Sequence, residues 1–165
     1  MRDLIKIGCV ALVLSVGLAA PVAAGPFEDG ITAHNRGDYA TALRLWRPLA
    51  DRGHPSAQVL LGGMYALGQG VPQDYTETVR WYRKAADQGD ARAQSFLGVM
   101  YANGHGVRQD YVQAHKWCNL AAGRFSASER EDREKAVINR DRVAAKMTAA
   151  QIAEAQRLAR EWKQK

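Results

Sequence analysis

Residues 57–92 read AQVLLGGMYALGQGVPQDYTETVRWYRKAADQGDAR, and residues 93–128 repeat the pattern as AQSFLGVMYANGHGVRQDYVQAHKWCNLAAGRFSAS. In this register Leu61/Leu97, Gly62/Gly98, Met64/Met100, Tyr65/Tyr101, Gly68/Gly104, Gly70/Gly106, Asp74/Asp110, Tyr75/Tyr111 and Trp81/Trp117 coincide. The register also runs backwards, with Gly37-Asp38-Tyr39 and Leu45-Trp46 one step before Gln73-Asp74-Tyr75 and Trp81-Tyr82. A 36-residue period describes a unit too small to bury its own apolar face. Such units stack on their neighbours, so the chain is expected to form a solenoid of helical hairpins.

The spacing within each unit supports two helices. Leu61, Met64 and Tyr65 share one face by i, i+3, i+4 spacing, and Trp81 and Ala85 do the same on a second helix. Gly62 and Ala86 are small where two helices are expected to cross closely. Between the helices, Gly68 and Gly104 are placed to end the first one in the left-handed conformation that glycine tolerates. Gly70 and Gly106 allow a second sharp turn, and Val107 is the expected apolar plug of the loop. Asp74 and Asp110 precede the second helices, with Glu77 and Gln113 three residues later, as in a capping box. A phosphate cradle needs free N–H groups at a helix N-terminus. An aspartate cap occupies those groups and repels phosphate, so the Gly104-His105-Gly106 loop reads as a turn and not as a ligand site.

The pattern AQxxLGxMYxxGxGVxQDYxxAxxWYxxAAxQGxAxAQ resembles the Sel-one-like repeat, a relative of the tetratricopeptide repeat. Two copies cover residues 57–122. Residues 25–56 look like a tetratricopeptide unit: Gly30, Ala33, Gly37-Asp38-Tyr39, Ala42 and Trp46 fit it, and the four-residue loop insertion is absent. The resemblance implies an all-α, right-handed superhelix of antiparallel helix pairs that typically binds other proteins. It also implies a concave side lined by the first helix of each pair. The residues expected there are Ile31, His34, Asn35, Val59, Gly63, Leu67, Ser95, Val99 and Asn103.

The C-terminal residues 129–165 depart from the repeat and read as a capping helical hairpin. Ser126 with Glu129, and Thr148 with Gln151, are expected capping boxes. The charged run from Glu129 to Lys135 reads as a solvated face.

The N-terminus reads as a separate segment. Arg2 and Lys6 precede the apolar run 7–20, and Pro21-Val-Ala-Ala24 offers small residues for cleavage after Ala24. This is the order of a secretory signal peptide, shorter in its apolar core than a membrane span. The expectation is a periplasmic or secreted protein with no spanning helix after cleavage. Without Arg2, Asp3 and Lys6, the 23 basic and 17 acidic side chains become 21 and 16, a net charge of +5. Export makes nucleic acid an unsuitable counter-charge and leaves acidic proteins or envelope polymers such as peptidoglycan. Cys118 is the one cysteine beyond that segment, so the fold has no intrachain disulfide.

No motif of chemistry stands out. His34, His54, His105 and His115 fall at no metal-ligand spacing, and no nucleophile elbow or CxxC is present. Cys118 takes the place held by Trp46 and Tyr82 in the other units, so it reads as a buried small hydrophobe and not as a reactive thiol. Some exported relatives carry a cysteine pair in each repeat, for which β-lactam hydrolysis has been proposed; this chain lacks those cysteines. The sequence therefore predicts a non-enzymatic scaffold without cofactor or metal. It is expected to bind a protein or peptide on the concave side, with envelope-polymer binding as the alternative.

Overall fold

In a computed structural model describing residues 25–164, the chain is all-helical, with no strand among the described residues. The expected signal segment lies outside them. The elements are α1 (Pro26–Asn35), α2 (Tyr39–Asp51), α3 (Pro55–Leu67), α4 (Tyr75–Asp87), α5 (Ala91–Asn103), α6 (Tyr111–Arg124), a 3-10 turn (Ala127–Glu129), α7 (Arg130–Ala144) and α8 (Ala149–Glu161). Helices α1/α2, α3/α4 and α5/α6 pair as hairpins, and each second helix packs on the first helix of the next unit. This sequential packing is the expected solenoid.

Each hairpin closes on the same kind of contact. A Cβ on Gly30 would collide with the Trp46 indole, and one on Gly62 would lie 2.5 Å from the Tyr82 ring. On Gly98 it would lie 2.5 Å from the Cys118 sulfur. Glycine therefore lets the second helix press a side chain directly onto the backbone of the first. The surrounding core is built from Ala42, Ala57, Leu61, Met64, Ala85, Ala86, Ala93 and Leu97, all buried.

Turns and caps follow the repeat. Gly68 and Gly104 end α3 and α5 in the left-handed region, at φ of 67° and 72°. Gly106 is doubly constrained. Its φ is 68°, and a Cβ there would run into the Tyr75 carbonyl of the preceding unit. Asp38, Asp74 and Asp110 accept backbone N–H groups in the first turns of α2, α4 and α6. The reciprocal half of the expected capping box is absent at α4 and α6, and Glu77 pairs with Arg80 instead. Both later boxes, Ser126/Glu129 and Thr148/Gln151, are complete.

One recurring device was not foreseen. Gln58 and Gln94 are buried, and their side-chain amides donate to the carbonyls of Ala50 and Ala86 at 3.0 and 3.1 Å. Those carbonyls lie in the last turns of α2 and α4, where each also accepts one backbone N–H, from Gly53 and Gly89, and has a second lone pair to offer. Each glutamine thus ties one unit to the end of the unit before.

The C-terminal helices both pack on α6, and they hardly touch each other. Ala136 of α7 lies with Ala121, Ala122 and Phe125, whereas Ala159 of α8 lies with Trp117 and Leu120. The end of the solenoid is thus closed by two helices on different faces of α6.

Candidate functional site

The first helices α1, α3 and α5 carry the residues expected to face a partner. Ile31, Leu67 and Phe96 are exposed large apolar side chains on them, with Leu67 at 69%. Asn35 and Asn103 are exposed, and Gly63 and Val99 are half-buried. Two expected residues face elsewhere. Val59 is buried among Val79, Tyr82, Ala93 and Leu97, because it meets the next hairpin and not solvent. His34 is occupied with packing: its ring lies 5.2 Å from Tyr39 and 5.6 Å from Trp46, and Nε2 bonds Gln69 Oε1 at 3.0 Å. Ser95 is also buried, at 8% exposure, but it lies at the base of an open groove.

That groove runs between α5 and α7. One half, about 300 Å³, is lined by Ser95, Phe96, Val99 and Phe125, with Arg92, Asp132, Lys135 and Asn139 around them. The other, about 310 Å³, is lined by Gly98, Ala102, Asn103, Tyr111, Cys118, Arg142, Val143 and Lys146. Val99 and Asn139 belong to both halves. Ser95, Val99 and Asn103, expected on the concave side, line this groove. Neither Phe96 nor any contribution of α7 was expected, because the departure from the repeat after Ser128 removed the register that locates neighbours.

The charges divide the groove. Arg92 bonds Asp90 and Ser56, and Lys135 bonds Glu131 and Asp132. At the other end Arg142 and Lys146 have no carboxylate partner among the described residues, and Lys146 lies 5.5 Å from the centre of the Tyr111 ring. The groove is therefore locally neutral and apolar at one end and cationic at the other.

The remaining candidates for chemistry are engaged structurally. His54 caps α3, accepting the Ala57 N–H, and His105 stacks on Tyr75 with ring centres 4.8 Å apart. Burial pushes the Cys118 thiol up to about 12, far from a thiolate nucleophile. His115 is buried between α6 and α7 with Nδ1 unpartnered, and burial, followed by the nearby Arg140 charge, lowers its pKa. Among the described residues no three His, Cys, Asp or Glu side chains come together to hold a metal ion. No helix among them is long and apolar enough to cross a membrane.

The family model of the Sel1 repeat matches residues 27–54, 55–90 and 91–124. The chain belongs to the Sel1 repeat family. The first unit, tetratricopeptide-like in sequence, is thus counted as a third Sel1 repeat. A crystal structure of a protective antigen from uropathogenic Escherichia coli displaying an SLR fold is 31% identical, with a TM-score of 0.74. That alignment covers 83% of this chain and 29% of the antigen, so this Sel1 chain spans under a third of the larger protein's length. A Sel1 repeat protein from Oxalobacter formigenes is 37% identical over 66% of this chain and 85% of its own, with a TM-score of 0.56. No curated protein sequence matches. Sel1 repeat proteins generally mediate protein–protein interaction.

Proposed function

We propose that this Sel1 repeat protein is exported and acts without turnover, as a scaffold that binds a protein partner on the side formed by α1, α3 and α5. The observation that carries the reading is the set of exposed apolar side chains there, Ile31, Leu67 and Phe96, beside exposed Asn35 and Asn103. The groups that could do chemistry are instead spent on caps, stacking and burial. Export rests on the basic, apolar, small-residue order of residues 1–24.

Two measurements test it. N-terminal sequencing of the envelope fraction should find a chain beginning at Gly25; a full-length chain in the cytoplasm overturns export. Crosslinking in intact cells should trap a partner that the variants Leu67→Glu and Asn103→Glu lose while keeping wild-type melting curves. Equal capture by both variants overturns the choice of face.

A further inference from the structure

The groove between α5 and α7 exists because one repeat position changes. Trp46, Tyr82 and Cys118 occupy corresponding places on α2, α4 and α6, each against the glycine of its own hairpin. In the second unit the Tyr82 ring crosses Gly62 on α3 and stacks on Phe96 of α5, with ring centres 5.2 Å apart. It thereby fills the space between consecutive first helices. In the third unit a thiol replaces the ring, and the space over Gly98 between α5 and α7 stays open, walled by Cys118, Val143 and Asn139.

What would enter is set by the two ends. Phe96, Val99 and Phe125 offer an apolar slot. Arg142 and Lys146 offer cationic groups without a carboxylate partner among the described residues, beside Asn103 and Asn139, which can donate or accept hydrogen bonds. From Phe96 to Asn103 the helix rises about 10 Å, the reach of roughly three extended residues. Resting on the scaffold reading above, we propose that this groove holds an extended acidic segment of the partner protein. A bulky apolar side chain sits against Phe96 and Phe125, and an Asp or Glu carboxylate about three residues away meets Arg142 and Lys146.

Charge complementarity selects this occupant. A basic segment would bring cations against Arg142 and Lys146, and like-charge juxtaposition is strongly disfavoured at an interface. A wholly polar acidic segment would leave the slot between Phe96 and Phe125 unfilled.

The test uses the chain lacking residues 1–24 and three labelled short peptides read by fluorescence anisotropy. One carries a central Phe or Leu flanked by Asp and Glu, one replaces the acids by Lys, and one keeps the acids but has Ser at the centre. The first should bind at least about tenfold tighter than either of the others and weaken as salt rises. Cys118→Tyr restores the aromatic found in the second unit and should abolish binding with the helical signal retained. If that variant fails to fold, Arg142→Glu/Lys146→Glu serves instead and should cost at least about tenfold. Arg44→Glu/Arg52→Glu, the same charge change on exposed residues of the first hairpin, should cost little. Equal binding of the Lys peptide, or wild-type binding by the groove variants, overturns the proposal. Should those groove variants still crosslink the cellular partner while Leu67→Glu loses it, the groove assignment falls and the scaffold reading stands. Full capture by every variant on that face overturns the choice of face on which the scaffold reading rests.

Discussion

Gly98 on α5 and Cys118 on α6 stand so close that a Cβ on the glycine would lie 2.5 Å from the sulfur and 3.1 Å from the Ala114 carbonyl. Two effects compete in Gly98→Ala. Helix propensity favours alanine by about 1 kcal/mol, whereas forcing an extra carbon into a packed crossing costs typically 1–3 kcal/mol. The backbone carbonyl cannot move aside as a flexible side chain would, so the clash wins and the variant should be destabilised. Adding Cys118→Ala removes the sulfur but not the carbonyl. A double-mutant cycle in urea should then show partial, favourable coupling. Gly123, helical with nothing within 4 Å of its Cβ position, is the control. Gly123→Ala should stabilise by about 0.5–1 kcal/mol.

Asp74 and Asp110 are caps, and their replacement should behave as capping does. Asp110 Oδ1 accepts the Gln113 N–H at 3.0 Å. Asp110→Ala should cost about 0.5–2 kcal/mol, and Asp110→Ser should recover most of it. Equal loss in both variants by urea melts would contradict the capping account.

The 36-residue period made most of the fold readable because each repeated residue solves the same local problem. Gly104 ends a helix, Asp110 begins one, and Leu61 and Leu97 fill equivalent core positions. What was not readable depended on neighbours rather than on the unit. Gln58 and Gln94 repeat faithfully, yet a buried glutamine makes sense only once the carbonyls of Ala50 and Ala86 are seen beside it. Val59 looked outward because its own helix places it on that flank; the next hairpin covers it. The groove escaped notice for a similar reason. Cys118 reads correctly as a buried residue, but the consequence of its size appears only where α7 fails to fill the space.

His115 should make the α6–α7 contact acid-sensitive. The residue is 4% exposed and its ring lacks a partner at Nδ1, with Arg140 and Asp141 of α7 as its charged neighbours. Burial, then Arg140, lowers the folded pKa below the ordinary value of 6.5; Asp141 works weakly the other way. The unfolded chain therefore takes up the proton first. Stability is fully present above about pH 6.5 and is lost as pH falls below it. Thermal melts between about pH 7.5 and 5 should show this loss in wild type. His115→Gln, which cannot titrate, should flatten the profile across that window, and an unchanged profile would assign the acid sensitivity elsewhere.

Cys118 offers a direct reading of how the solenoid opens from its C-terminal end. The residue is 1% exposed, and its thiol is pushed up to about 12 by burial. At pH 8 only about one molecule in ten thousand would carry a thiolate even if a reagent could reach it. Labelling in the native state should therefore proceed through transient opening, at a rate set by the local opening free energy. In a solenoid each unit leans chiefly on its neighbours, so damage at one end need not melt the other. Ala136 of α7 is fully buried against Ala121, Ala122 and Phe125 of the α6 end. Ala136→Asp would place an unpaired charge there and loosen α7. Thiol labelling of Cys118 should accelerate by at least about tenfold, which corresponds to 1.4 kcal/mol of local opening. Fluorescence of Trp46, buried in the first hairpin, should meanwhile keep its unfolding midpoint in a background where the other tryptophans are Phe. Should that midpoint fall together with the labelling rise, the three hairpins and the terminal helices unfold as one cooperative block, and the nearest-neighbour description fails for this chain.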